Sequence, residues 1–237
     1  MEVVKKNVKR VVGNLQVCAG QQAGCEAAIH AVRSMFDHPD CEAVLMVDAS
    51  NAFNCLNREA ALHNIKMRCP SLATYVENSY KVPAKLFICG EVTGKTRRVE
   101  TILSAEGTTQ GDPVAMAMYA LGLLKLQDTL RHEKTGVKQV AYADDLTGVG
   151  KTADLIKWWE MVVQHGPKLG YFPNARKSVL IVKPEKLEQA EELFSGSEIR
   201  ITTEGERHLG AVIGSAIFRE EYVKTKVNDW KQEISSC

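Results

Sequence analysis

The stretch Tyr142-Ala143-Asp144-Asp145 limits the possible folds of this chain more than any other feature. It lies between a β-forming run at 137–142 and a short returning run at 146–149, which reads as a strand, a tight acidic turn and a second strand. Aspartate is common in turns for conformational reasons alone. Two adjacent carboxylates at a hairpin tip repel each other, however, unless a cation shares the site. A third acid, Asp48, ends the apolar run Ala43-Val44-Leu45-Met46-Val47. Together the three acids predict a divalent-metal site at the ends of buried strands. Only a fold can bring Asp48 and Asp144 together.

Composition sets the frame without choosing a partner. At 237 residues the chain suits one large domain or two small ones, and its 45% apolar and 25% charged content is that of an ordinary globular protein. Lys plus Arg (30) almost cancels Asp plus Glu (29), so any nucleic-acid role must rest on local arrangement. The seven cysteines, at 18, 25, 41, 55, 69, 89 and 237, contain no Cys-x-x-Cys pair. Reduced thiols, acting mostly as small core fillers, are expected. With no signal peptide and no membrane span in the pattern, the expected location is intracellular, in cytoplasm or nucleus, with no membrane partner.

Element by element, the spacing predicts a basic helix over 2–12, a small-residue loop at 18–24 and a helix over 26–36. A strand follows at 43–47, then helices over 58–67 and 72–80 with Ser71 as a candidate cap. A hairpin is expected from strands 85–89 and 97–103, its tip made basic by Lys95, Arg97 and Arg98. Asp112 and Pro113 open a long helix to about residue 131 whose many small residues imply close packing. Beyond the acidic hairpin come a helix over 153–165, a loop at 170–173, a strand at 178–183 and a helix over 185–194. Strands at 199–203 and 208–213 and a charged helix over 221–234 complete the chain. The mixed order with a central hairpin points to an α+β fold with an antiparallel sheet backed by helices.

Nucleotidyl transfer needs two divalent ions roughly 3.5–4 Å apart, one at the attacking hydroxyl and one at the leaving pyrophosphate. Mg²⁺ keeps several waters, so two or three carboxylates plus substrate phosphates suffice. Here the residues take on a family likeness. Val47 to Asn54, Gln110-Gly111-Asp112-Pro113, Tyr142 to Asp145, Gly170 through Asn174 to Lys177, and His208-Leu209-Gly210 resemble, in order, five motifs of a polymerase palm. The palm is that of reverse transcriptases, especially those of non-LTR retrotransposons and group II introns. The first three motifs together are highly specific, whereas the last two are weak alone.

The resemblance implies a polymerase palm at 43–57 and 109–214, with partial fingers over 1–42. It implies fingers-proximal helices and a hairpin over 58–108, and the start of a connection toward a missing thumb over 215–237. It implies that Asp48 and Asp144 ligate both ions with the Ala49 carbonyl, and that Asp145 sits at the edge of the same site. It further implies that Phe53 lies under the sugar and excludes a 2′-hydroxyl, and that Gln110 and Gly111 touch the incoming nucleotide and template base. By the same resemblance Lys177 is expected to protonate the pyrophosphate, and Leu209 and Gly210 to hold the primer end. Read from the residues alone, Phe53 is equally a core side chain, Lys177 a surface lysine and Leu209-Gly210 an ordinary hairpin turn. The implied cofactor is Mg²⁺, with Mn²⁺ as a substitute. The implied partners are an RNA template, a DNA primer, deoxynucleoside triphosphates and the finger and thumb segments of a longer polyprotein. Two functions follow: an RNA-directed DNA polymerase domain, or a catalytically silent palm remnant of a mobile element that binds nucleic acid or protein. A nucleotide cyclase or viral RNA polymerase is disfavoured by Gln110-Gly111 ahead of the helix.

Overall fold

The computed structural model describes residues 2–93, 96–109, 111–133 and 135–235. Helix α1 (Glu2–Val12) is divided as its spacing requires. Val8 and Val12 are fully buried with Val4 and Val11 beside them, while Lys5, Lys6 and Lys9 face solvent. Helix α2 (Gly24–Phe36) buries Ala28, Val32 and Phe36 at i, i+4 spacing. Strand β1 (Ala43–Val47) is buried at every position. Side chains alternate along a strand, so Ala43, Leu45 and Val47 enter the larger core, and Val44 and Met46 a second core on the opposite face. Covering both faces explains a run without a polar side.

A short helix that the spacing did not reveal, α3 (Ala52–Cys55), follows β1. Helix α4 (Arg58–Arg68) is capped by Asn57, whose side chain accepts the Ala60 N–H at 2.9 Å. Helix α5 (Pro70–Tyr80) opens on its proline, which is suited to a first helical position. Ser71 therefore does not cap it, and its hydroxyl accepts from Asn7 Nδ2 of α1 at 3.1 Å. Strands β2 (Ala84–Thr93) and β3 (Thr96–Ser104) form a two-stranded sheet of their own. Lys95 at its tip lies outside the described residues.

Helix α6 (Ala115–His132) runs through the larger core. It begins later than Pro113, but Asp112 still serves its start: Oδ1 accepts the Val114 N–H at 2.9 Å and the Asp112 carbonyl accepts the Ala115 N–H at 3.0 Å. The expected close packing occurs at Gly122, where an added Cβ would stand 2.9 Å from Ala61 Cβ of α4. Strands β4 (Lys138–Tyr142) and β5 (Asp145–Gly150) form the acidic hairpin. Helix α7 (Thr152–His165) then buries Leu155, Trp158, Trp159 and Val162, so both tryptophans are core side chains.

Next come β6 (Val179–Val182), α8 (Leu187–Leu193) and β7 (Arg200–Thr202). The five-stranded sheet has the order β4-β5-β1-β6-β7. It is antiparallel except at β6–β7, which pair in parallel. The sheet is thus antiparallel in the main, as expected, and β7 is the parallel addition because α8 carries the chain across before it returns. The strand expected at 208–213 is two strands, β8 (Gly205–His208) and β9 (Ala211–Gly214), joined at Leu209-Gly210. Helix α9 (Ala216–Ser235) completes the described chain, starting earlier than its charge pattern suggested. Among the described residues no helix is long and apolar enough to cross a membrane.

Candidate active site

The sheet brings the three predicted acids to one end. The β1–β5 register pairs Val47 with Leu146, so the next residues outward on the two strands are Asp48 and Asp145. Tyr142 pairs with Asp145, which leaves Ala143 and Asp144 as the two-residue turn of the β4–β5 hairpin. Ala143 adopts φ 55°, in the left-handed region that such tight turns need.

The backbone around these acids is held from several directions. The Asp48 N–H donates to Ser178 Oγ at 3.1 Å, and the Asp48 carbonyl accepts the Asn174 N–H at 2.8 Å. The buried Tyr171 hydroxyl donates to the Asp144 carbonyl at 3.0 Å. Gln16, also buried, holds both polar groups of Ala143: Nε2 donates to its carbonyl at 2.9 Å and Oε1 accepts its N–H at 2.8 Å. The loop over 170–174 thus supports the turn as well as linking two elements. Sequence reasoning missed Gln16, Tyr171 and Ser178. A residue beside a motif gives some reason to examine Tyr171 and Ser178, whereas nothing local marks Gln16.

Electrostatics agree with crowding of like charges. Burial, and then the charge of Asp48, raise the proton affinity of Asp144, against a lowering contribution from its own backbone N–H. Burial, followed by the charges of Asp144 and Asp48, pushes Asp145 up to about 6. Asp145 is nonetheless exposed at the surface of the fold, so neighbouring charge acts on it together with only partial enclosure. Burial, and then the charges of Asp144 and nearby groups, likewise raise the proton affinity of the Tyr119 hydroxyl.

A cavity of about 440 Å³ opens at this sheet end, and Asp48, Asp145, Lys177, Arg207 and Leu209 are on its wall. Asp145 rather than Asp144 faces it, and Asp144 sits half-buried in the turn above Tyr171. Lys177 stands exposed on the rim. The Leu209-Gly210 turn has φ 50° and 85°, as a two-residue hairpin requires. Its carbonyls accept from Cys25 Sγ of α2 at 3.3 Å and from the Tyr222 hydroxyl of α9 at 3.4 Å.

Phe53 stacks on Tyr119 of α6 with ring centroids 4.3 Å apart and an interplanar angle of 20°. It is half-buried against the larger core, and the stacking on Tyr119 fixes its ring. Ala49 is buried, and its backbone bridges Pro173. Gly111 has φ 92°, and a Cβ there would meet open space. Gln110 lies outside the described residues. Just beyond it, Asp112 Oδ2 accepts the Tyr80 hydroxyl at 2.6 Å, which ties the start of α6 to α5.

Three hard carboxylates at one sheet end, with the charge of Asp48 raising the proton affinity of Asp144 and the charges of both raising that of Asp145, form a donor set that fits a divalent cation. Among the described residues no three acidic, histidine or cysteine side chains close into a ready-made cage. A hydrated Mg²⁺ that also takes substrate oxygens does not need one.

The sequence profile of the family described as reverse transcriptase (RNA-dependent DNA polymerase) matches residues 2–212. No curated protein matches the sequence. Among solved structures, apo telomerase from Candida tropicalis, truncated from its C-terminal domain, is similar with a TM-score of 0.64 at 13% identity, covering 90% of this chain and 43% of that one. Apo telomerase from the same organism gives 0.53 at 12% identity, covering 90% and 38%. Telomerase from Candida albicans in complex with the TWJ fragment of telomeric RNA gives 0.52 at 8% identity, covering 90% and 36%. At these identities the likeness is one of fold, and this chain spans less than half the length of each telomerase chain.

Proposed function

Because this chain belongs to the reverse transcriptase (RNA-dependent DNA polymerase) family, whose profile spans residues 2–212, we propose that it extends a DNA primer on an RNA template by nucleotidyl transfer. Asp48, Asp144 and Asp145, meeting at one end of a sheet anchored in two cores, are the observation that carries this reading. The palm is assigned to 43–57 and 109–214, flanked by the finger-like and connecting segments expected from sequence. The motif residues favour the non-LTR retrotransposon and group II intron branch of the family.

In the reaction the primer 3′-oxygen forms a bond to the α-phosphorus of a deoxynucleoside triphosphate while the bond to pyrophosphate breaks. Mg²⁺, or Mn²⁺ in its place, supplies Lewis-acid activation of the hydroxyl and neutralises charge on the leaving group when bound. Asp48 and Asp144, with the Ala49 carbonyl, are the proposed ligands, and Asp145 lines the same space from the cavity side. Lys177, on the rim of that cavity, is the proposed donor of a proton to the departing pyrophosphate. Phe53, backed by Tyr119, presents a fixed edge against a 2′-hydroxyl. Gly111, open on its Cβ side, lets a nucleotide approach the backbone, with Gln110 beside it. Leu209 and Gly210 offer a turn for the primer end, and Leu209 shares the cavity with Asp48.

The test is primer extension on an RNA template with deoxynucleotides in Mg²⁺ or Mn²⁺. Wild type should extend the primer, Asp144→Asn should reduce extension to background, and Phe53→Val should admit ribonucleotides. A wild-type chain as inactive as Asp144→Asn in both metals would support the silent nucleic-acid-binding palm instead.

A further inference from the structure

Gln16 is wholly buried, yet its amide does not serve its own segment. Its Nε2 donates to the Ala143 carbonyl at 2.9 Å, and its Oε1 accepts the Ala143 N–H at 2.8 Å. Only one orientation of the amide satisfies both bonds, since a carbonyl can only accept and an N–H can only donate. The backbone beside it reinforces the contact. Residue 16 bridges Ala141 in parallel, and the Val17 N–H donates to the Ala141 carbonyl at 2.9 Å. Residues 16–17 therefore dock on the outer edge of β4 at the acidic tip, and the Gln16 side chain continues the ladder one step further, to the turn itself.

Ala143 needs such support more than any other residue of the hairpin. It holds φ 55° without being glycine, a conformation that crowds Cβ against the backbone. It also directly precedes Asp144 and Asp145, whose like charges press the tip to open. Fixing both the N–H and the C=O of Ala143 sets the direction in which the chain enters Asp144. Tyr171 holds the Asp144 carbonyl from the other side. We propose that Gln16 is a positioning residue of the active site: its side-chain amide clamps Ala143 so that Asp144 is aimed at the shared cation site. It touches neither substrate nor metal. The inference rests on the polymerase reading above, and its test has readouts that do not depend on activity.

Gln16→Met keeps the bulk and removes both hydrogen bonds. Gln16→Glu keeps the acceptor for the Ala143 N–H but turns an oxygen toward the Ala143 carbonyl. Each is made in the whole chain and examined by primer-extension kinetics, by direct Mn²⁺ titration of the protein and by amide hydrogen exchange. A displaced catalytic group costs roughly 10²-fold per ångström, so kcat should fall about 10- to 100-fold while KM for nucleotide and primer–template changes little. Mn²⁺ affinity should weaken, and exchange should quicken over 141–146 while α6 stays protected. Unchanged kcat and Mn²⁺ affinity in a folded Gln16→Met would overturn the proposal. So would loss of protection throughout α6 in step with activity in both variants, which marks Gln16 as a plain structural residue. If wild type is itself inactive, the polymerase reading fails, and Mn²⁺ affinity together with local exchange still decides the clamp.

Discussion

Two hairpins in this protein share one local grammar and have very different surroundings. The β4–β5 hairpin is joined to β1 along one side, buries Ala141, Leu146, Thr147 and Val149, and has its tip held by Gln16 and Tyr171. The longer β2–β3 hairpin forms a two-stranded sheet of its own, with a register shift between Cys89 and Val92. Leu86, Phe87, Val99 and Leu103 along it are all exposed. Its base is fastened by Arg58, whose guanidinium donates to the carbonyls of Ser104, Glu106 and Gly107 at 2.7, 2.8 and 3.1 Å. Pairing between strands makes a hairpin, but only burial and side-chain support fix where its tip points. A metal site needs the second property. The ribbon of β2 and β3 can do without it.

The contrast is tested most severely in the sheet that carries the acids. Leu45 of β1 is fully buried between its neighbours Gly148 of β5 and Leu180 of β6. Leu45→Ala should cost about 2–5 kcal/mol in urea or thermal unfolding, the usual range for truncating a buried leucine. A cost no larger than that of an exposed ribbon residue would erase the distinction between the two hairpins.

The next test uses the charge stored at the anchored tip. Burial and the charges of Asp144 and Asp48 raise Asp145 from 3.8 to about 6, so the folded chain holds this proton more tightly than the unfolded chain. Its contribution to stability is complete below the unfolded value and is lost as pH climbs through about 6. Without divalent metal, wild type should therefore lose melting temperature between pH 4 and pH 7. Asp145→Asn should lose less across that window and melt higher than wild type at pH 7. Asp144 is shifted in the same direction, which leaves some slope in the variant. Equal slopes in a buffered thermal series would show that Asp145 is not under this strain.

The same contrast explains what was legible in the sequence. Periodicity located β1, α4, α7 and the β4–β5 hairpin because each has a face, or two faces, that water must leave, whereas the glycine-flanked turn between its strands, not burial, located the exposed β2–β3 ribbon. It placed the acids at one sheet end because Asp48 and the Asp144 turn close apolar runs. It failed where local preference misled. Ser71 has the chemistry of a cap but follows a proline that already opens the helix. The run at 208–213 looks like one strand until Leu209 takes a left-handed φ that its side chain does not advertise. The parallel placement of β7 depends on the route through α8, which no local pattern encodes. Gln16 and Tyr171 were hidden for a related reason: each is an ordinary residue whose role exists only once distant backbone arrives beside it.

The smallest expected effect belongs to the free ribbon. Phe87 of β2 lies across from Thr101 of β3 and is 65% exposed, so neither fold core loses contact when it changes. Phe87→Ser should shift unfolding free energy by no more than about 0.5 kcal/mol, as for surface positions without special partners. Amide exchange should sharpen the point in wild type. Strands whose side chains face water on both sides open locally at little cost, so amides over 85–89 and 99–103 should exchange well before those over 43–47 and 146–149. Protection in the ribbon matching that of β1 would mean that the contacts of Arg58 at its base extend cooperatively along its whole length. The two hairpins would then differ in exposure but not in rigidity, and burial would no longer be what aims the acidic tip.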